Sequence, residues 1–193
     1  MIIHQIFIPI LYKNIDDNYT WKDARIFNRA CHTLQTWNKD EIMDLIRNDY
    51  PEFLDFVRTF PNDFWLCDFA RCLILHKHGG IYLDLDCKLK KTPDFSKNLG
   101  GYWDHPKRGI EPNCDFIYFK DRELYLDFVR FCVKRNSVNK MPSNWICRRY
   151  LYIVGNLAWN AFKKKHKNIE MFTGYQRGLD PKTIATWLRM KEL

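Results

Sequence analysis

Asp68 and Arg71 stand three residues apart, and eight positions after Arg71 the chain reads Gly79-Gly80-Ile81-Tyr82-Leu83-Asp84-Leu85-Asp86. On a helix, residues at i and i+3 are neighbours, so Asp68 and Arg71 point the same way. On a strand, alternate residues share a face, so Asp84 and Asp86 are expected on one side. Two carboxylates at the end of a strand suit a hard divalent cation with oxygen ligands, and such an ion often carries a diphosphate with it. Alone, an Asp-x-Asp tripeptide is more often a solvated turn. Here it follows Ile81-Tyr82-Leu83, which reads as buried strand, and carboxylates in such a place call for a partner.

The elements that must position these groups follow from the pattern. Residues 2–8 form a short apolar, β-branched run ending at Pro9, read as a buried first strand. Helices are expected at 21–31, at 39–49 behind an Asn38 cap, and from Pro51 to Phe60. Asn62 or Asp63 then caps the central helix to about His78. Its stripe of Trp65, Phe69, Cys72, Leu73 and His76 should pack on the sheet, while Asp68, Arg71, Leu75 and His78 face elsewhere. Gly79 ends that helix with a residue free to adopt positive φ.

Further strands are expected at 80–84, 87–90, 99–103, 114–119 and 169–172, with helices at 121–135, 143–152, after Gly155-Asn156, and from Pro181. Residues 173–183, rich in Gly and Pro, read as a mobile loop. Alternating strands and helices imply an α/β protein with a mixed sheet flanked by helices, one domain over residues 1–193.

Composition narrows the class. Hydrophobic residues at 46% and aromatics at 16% argue for a packed globule. No apolar run approaches the ~20 residues needed to span a membrane, and the start of the chain lacks the pattern of a signal peptide. Seven cysteines (31, 67, 72, 87, 114, 132 and 147), with no Cys-x-x-Cys pair, argue against a zinc site or a disulfide framework. A reducing, cytoplasmic setting fits. The net charge of +8 asks for an anionic partner without choosing among nucleotide, membrane and nucleic acid.

The run from Asp68 to Asp86 resembles the core of the glycosyltransferases that share the sugar-binding DXD region. These are the family 32 type (yeast α-mannosyltransferases, bacterial capsular enzymes, large-virus relatives) and, more distantly, the clostridial glucosylating toxins. They carry an Asp, an Arg three on, and a Gly-Gly-x-Tyr-x-Asp-x-Asp run at the same spacing. Ile2-Ile3-His4-Gln5-Ile6-Phe7 resembles their first strand, with Phe7 where Trp is usual. The likeness covers residues 1–8 and 62–120 and fades beyond them.

The resemblance implies a GT-A fold near minimal size, with Mn²⁺ (or Mg²⁺) at Asp84 and Asp86 and donor contacts from Asp68 and Arg71. Ile3, His4, Gln5, Ile6 and Leu85 would lie near the nucleoside. Tyr82 and the glycine pair read as architecture beside the donor. For His4, a hydrogen-bonded core role is as good a reading as donor contact. Phe7 suits core packing better than stacking on a base. Arg177, within Gly174-Tyr-Gln-Arg-Gly178, and Asn156 are candidates for the diphosphate. A third metal ligand from the C-terminal half finds no match, since His166 sits in a lysine-rich helix end.

An inverting enzyme would need a base, for which Asp115 and His105 are candidates near Asp104 and Asn113; a retaining one, which the resemblance favours, would not. The resemblance thus implies transfer of a hexose or deoxyhexose from a nucleotide sugar, UDP-linked by preference, to a glycan or glycoprotein. The relatives of eukaryotic type carry a membrane anchor, whereas this sequence fits a soluble bacterial or large-virus type. Two rivals remain: a non-catalytic sugar-nucleotide-binding relative, and a nucleic-acid-binding module built on Lys88–Lys91, Arg148-Arg149 and Lys163–Lys167.

Overall fold

A computed structural model describes residues 1–10, 12–105, 109–137 and 153–178, with the side chains of 103–105 and 109 outside the description. The expected helices at 143–152 and from Pro181 fall outside the described residues.

Strand β1 (Ile2–Ile6) lies at the centre of the parallel part of the sheet. Helix α1 (Tyr19–Arg29) leads from it to β2 (Thr33–Trp37), which pairs parallel with β1. The sequence reading missed β2, because Thr33-Leu-Gln-Thr-Trp37 is an edge strand with exposed alternate residues and little apolar signal. Helix α2 (Lys39–Asp49) begins with the Asn38 side chain accepting from Glu41 N–H and Glu41 accepting from Asn38 N–H. A 3-10 turn at Pro51–Phe53 and a short helix α3 (Leu54–Arg58) stand where one helix was expected.

Helix α4 (Asp63–His78) starts at the expected Asn62 cap and returns to β3 (Ile81–Leu83), parallel to β1 on its other side. Every residue from Asp68 to Leu75 is buried, so this helix has no free polar face; its ion pair is enclosed with the rest. Gly79 and Gly80 both take positive φ, and a Cβ on Gly80 would lie 2.7 Å from the Ile2 carbonyl oxygen.

After β3 come β4 (Cys87–Leu89), β5 (Asn98–His105), β6 (Gly109–Tyr118), α5 (Glu123–Ser137), α6 (Asn156–Lys165), β7 (Ile169–Met171) and β8 (Tyr175–Arg177). The main sheet has the order β2-β1-β3-β6-β5-β7, with β6 antiparallel to β3 and β5. Strands β4 and β8 form a separate antiparallel pair. The expected loop at 173–183 is therefore strand over Tyr175–Arg177.

The sheet separates two apolar clusters. Ile6, Trp37, Tyr82 and Ile117 pack with α2, α4, α5 and α6 on one face. Ile3, Ile81, Leu83 and Phe116 pack with Cys87, Leu89 and Tyr175 of the small sheet on the other. In the order β2-β1-β3, the connection from β1 runs to one side and that from β2 returns across it to the other, so β1 and β3 flank a switch point. In open α/β sheets ligands bind beyond the carboxyl ends of the strands at such a point. Among the described residues, no helix is long and apolar enough to cross a membrane.

Candidate functional site

Asp84 and Asp86 stand beyond the carboxyl end of β3, not within it. The Asp84 carbonyl accepts from Cys87 N–H at 3.0 Å, closing a turn that joins β3 to β4. The strand alternation expected from sequence therefore does not apply, and the turn presents the two carboxylates. The Asp84 side chain is 26% exposed, and that of Asp86 is 12% exposed.

From the α4 face, Arg71 reaches this edge. Its guanidinium pairs with Asp68, donates to the Cys114 carbonyl, lies 3.7 Å from Asp84, and stacks 4.5 Å from the Tyr82 ring centroid. Burial alone would lower the basicity of Arg71, but Asp68, then Tyr82, Cys114 and Asp84, outweigh it and hold the charge firmly. The Tyr82 hydroxyl donates to Asp84 Oδ1 at 2.9 Å. The Gln5 amide lies 3.4 Å from the Asp84 carbonyl, tying the end of β1 to the same turn.

From the opposite face comes Arg177 of β8. Its Nε lies 3.3 Å from Asp86 Oδ2, and its Nη1 lies 3.9 Å from Asp115 Oδ2. Burial pushes the Asp86 carboxyl up, Arg177 pulls it down and Asp84 raises it again. Asp115 is fully enclosed; burial, opposed by Arg177 and assisted by Asp84, pushes it up to about 7. Asn113 donates to Asp115 Oδ2 at 3.1 Å, and the Tyr175 hydroxyl lies 2.5 Å from Oδ1.

Asp115 reaches the small-sheet face because the β5–β6 register jumps. Gly100 pairs with Ile117 and Gly101 with Asn113, leaving Cys114, Asp115 and Phe116 as a bulge. Bulges of this kind re-aim side chains.

The two-stranded sheet is itself pinned. Asn28 of α1 donates to the Cys87 carbonyl at 2.8 Å and accepts from Leu89 N–H at 2.9 Å, standing in for a neighbouring strand. Gly178 N–H donates to the Asp86 carbonyl at 2.6 Å, so Arg177 is held beside Asp86 by backbone as well as charge.

The comparisons agree with this geometry. A family model described as "Glycosyltransferase sugar-binding region containing DXD motif" matches residues 16–102. Residues 16–102 are thus similar to a DXD glycosyltransferase sugar-binding region.

An inositol phosphoceramide mannosyltransferase of Schizosaccharomyces pombe is 40% identical over 58 residues, covering 30% of this chain and 16% of its own length. An uncharacterised glycosyltransferase of Acanthamoeba polyphaga mimivirus is 32% identical over 109 residues, covering 53% of this chain and 41% of its own. The chain thus spans less than half the length of these curated relatives. Among solved structures, the PaToxG glycosyltransferase superposes with a TM-score of 0.54 at 14% identity, covering 99% of this chain and 75% of that one. That likeness bears on the fold, and the α/β architecture with a mixed sheet is shared.

The DXD region lies within the matched span, whereas Asp115 and Arg177 lie beyond it. Of the sequence candidates, the fold brings Gln5, Asp68, Arg71, Tyr82, Asp84, Asp86, Asp115 and Arg177 to one edge. His4 does not join them: its Nδ1 accepts from Trp37 Nε1–H at 3.0 Å, and burial, with His78 nearby, lowers its pKa to about 4. Ile3 and Ile6 are buried on opposite sheet faces. Phe7 packs edge-on against Trp21.

Asn156 opens α6, where its side-chain oxygen lies 3.6 Å from the Cys114 sulfur, and His166 stacks 4.1 Å from Phe162 at the other end of that helix. Asp104 and His105 end β5 with side chains outside the description. Tyr175 was not singled out from the sequence, where the Gly and Pro content of 173–183 reads as a mobile loop.

Proposed function

We propose that this protein is a metal-dependent glycosyltransferase that moves a hexose or deoxyhexose from a nucleotide sugar, UDP-linked by preference, to a glycan or glycoprotein acceptor with retention. The observation that carries this reading is the convergence of two arginines and the Asp84-Leu85-Asp86 turn from opposite sheet faces at the β1/β3 switch point. Names of the matched relatives support a hexose as the transferred group. They also make an inositol-phosphate lipid an acceptor worth testing.

In this reading Asp68 and Arg71 hold the donor sugar, whose adjacent hydroxyls donate and accept as a carboxylate beside a guanidinium requires. Tyr82 fixes Asp84 through its hydroxyl and stacks beneath Arg71, so both groups are preset. Ile3, Ile6 and Leu85 would border the nucleoside, with Gln5 setting the turn. Arg177 would meet the diphosphate.

Asp84 and Asp86 would hold a divalent cation. Among the described residues no cluster of three or more His, Cys, Asp or Glu forms a closed metal cage. A hard ion that completes its shell with phosphate oxygens and water needs only one or two carboxylates. Asp86 takes a positive charge, Arg177, at 3.3 Å, as a carboxylate at this edge requires. When bound, the ion would neutralise the departing diphosphate. Asp115, enclosed by Asn113, Tyr175 and Gly101, suits positioning of Arg177 better than deprotonating an acceptor. That favours retention.

The nucleic-acid reading gains little support. Lys88 pairs with Asp23, Lys90 lies 4.2 Å from the Phe27 ring centroid, and Lys163–Lys165 close α6, so the basic runs are dispersed.

The test is thermal unfolding with Mn²⁺ and UDP, GDP, CMP, dTDP and their sugars. A ligand at 100 times its Kd stabilises the native state by about 2.7 kcal/mol. Stabilisation by one nucleotide only in the presence of metal supports the proposal. Stabilisation by oligonucleotides alone overturns it.

A further inference from the structure

Arg177 occupies a position that asks for explanation. Its guanidinium bridges Asp86 and Asp115, two buried carboxyls that burial, and after it the nearby Asp84 charge, pushes up while Arg177 holds them down. Without a positive charge here the edge could not hold them. Yet Asp86 is also a proposed metal ligand, and Arg177 already occupies its Oδ2, with the Cys87 thiol at Oδ1. The arginine is 34% exposed, so a solvent-borne anion can reach the guanidinium without unfolding the strand. Its backbone is fixed by the Cys87–Arg177 ladder pair and by the Gly178 bond to Asp86, leaving the side chain as the part that can turn.

We propose that Arg177 is the resident counter-ion of Asp86, and that it and the divalent cation exclude one another there until a diphosphate draws the guanidinium away. The inference rests on the metal-and-donor reading above. Arg177 is then a positioning residue that couples the two ligands. Alone, the cation must displace the arginine from Asp86 and binds weakly. With a nucleoside diphosphate present, the guanidinium moves to phosphate oxygens, to which a planar fork bonds well, and Asp86 is released. Coupling between the two ligands is reciprocal, and such couplings run at about 5–150-fold.

The experiment is Mn²⁺ titration of the full chain with and without UDP, followed by the paramagnetic signal of free Mn²⁺, on wild type, Arg177→Gln, Arg177→Lys and Lys88→Gln. In wild type, UDP should tighten Mn²⁺ binding by about tenfold or more. Arg177→Gln should bind Mn²⁺ without nucleotide about tenfold more tightly than wild type, and UDP should then add little. Arg177→Lys keeps a charge for the buried carboxylates, and so the fold. A single ammonium cannot span Asp86 and Asp115, so a gain of about threefold is expected. Lys88→Gln removes a neighbouring charge that faces Asp23 and should leave Mn²⁺ affinity unchanged.

Melting of the same proteins gives a second readout: Mn²⁺ should raise the midpoint of Arg177→Gln more than that of wild type. No gain in Mn²⁺ affinity in either Arg177 variant, or an equal gain in Lys88→Gln, overturns the inference. Absence of Mn²⁺ binding to wild type, with UDP or without, overturns the metal reading and the inference together.

Discussion

The Asp115 carboxylate lies 2.5 Å from the Tyr175 hydroxyl, joining the bulge of the main sheet to the small sheet that carries Arg177. Burial raises this carboxyl from 3.8 to about 7, against the pull of Arg177. A carboxyl whose folded pKa exceeds its unfolded one keeps a proton in the native state that the unfolded chain gives up. Its contribution is therefore favourable below about pH 4 and is lost as pH rises towards 7. Urea midpoints should fall across that window, and Asp115→Asn should flatten most of the fall. An unchanged pH profile in the variant would contradict the burial argument.

Asp86→Asn tests the other end of the relay. This carboxylate is nearly enclosed and paired, and its loss leaves Arg177 with Asp115 at 3.9 Å. Because Arg177 is one-third exposed, the cost is discounted from the buried-pair range to about 1–3 kcal/mol. Denaturant unfolding should show that loss, and Mn²⁺-dependent protection by the nucleotide should vanish in the same variant. Full retention of metal-dependent binding would remove Asp86 from the proposed ligand set.

Gly101 faces the same knot. A Cβ there would fall 2.3 Å from Asp115 Oδ1, 2.7 Å from the Tyr175 hydroxyl and 3.0 Å from the Phe116 nitrogen. No flexible side-chain end can absorb that, because the carboxylate is held by Asn113 and Tyr175. Gly101→Ala should cost about 1–3 kcal/mol and loosen β8 from β6. Hydrogen exchange at Tyr102 N–H, which donates to the Tyr175 hydroxyl, should quicken more than exchange within α4.

The half of the site on α4 was legible because its signals are local. Asn62, the Asp68–Arg71 spacing, Gly79 and the buried Ile81-Tyr82-Leu83 run all act within a few residues of themselves. The other half depends on contacts between residues far apart in the chain. Arg177 meets Asp86 across 91 positions and Tyr175 meets Asp115 across 60, and neither pairing leaves a periodic trace. The bulge that turns Asp115 towards Tyr175 exists only as a register jump between β5 and β6. Asp84 and Asp86 were found by type and spacing, although the turn that presents them differs from the strand first expected.

Arg71→Lys separates charge from shape. The guanidinium is 5% exposed and meets Asp68, the Cys114 carbonyl, Asp84 and the Tyr82 ring at once. Lysine keeps the charge, but its point-like ammonium cannot serve a carboxylate and a carbonyl in one plane while stacking on an aromatic ring. At least one buried acceptor is left short of a donor, at about 1–3 kcal/mol. Urea unfolding of Arg71→Lys should show a loss in that range. If Arg71 also grips the donor sugar, nucleotide-sugar affinity should fall by about tenfold or more while affinity for the free nucleoside diphosphate changes less. Equal losses for nucleotide and nucleotide sugar would move Arg71 from the sugar to the framework of the turn.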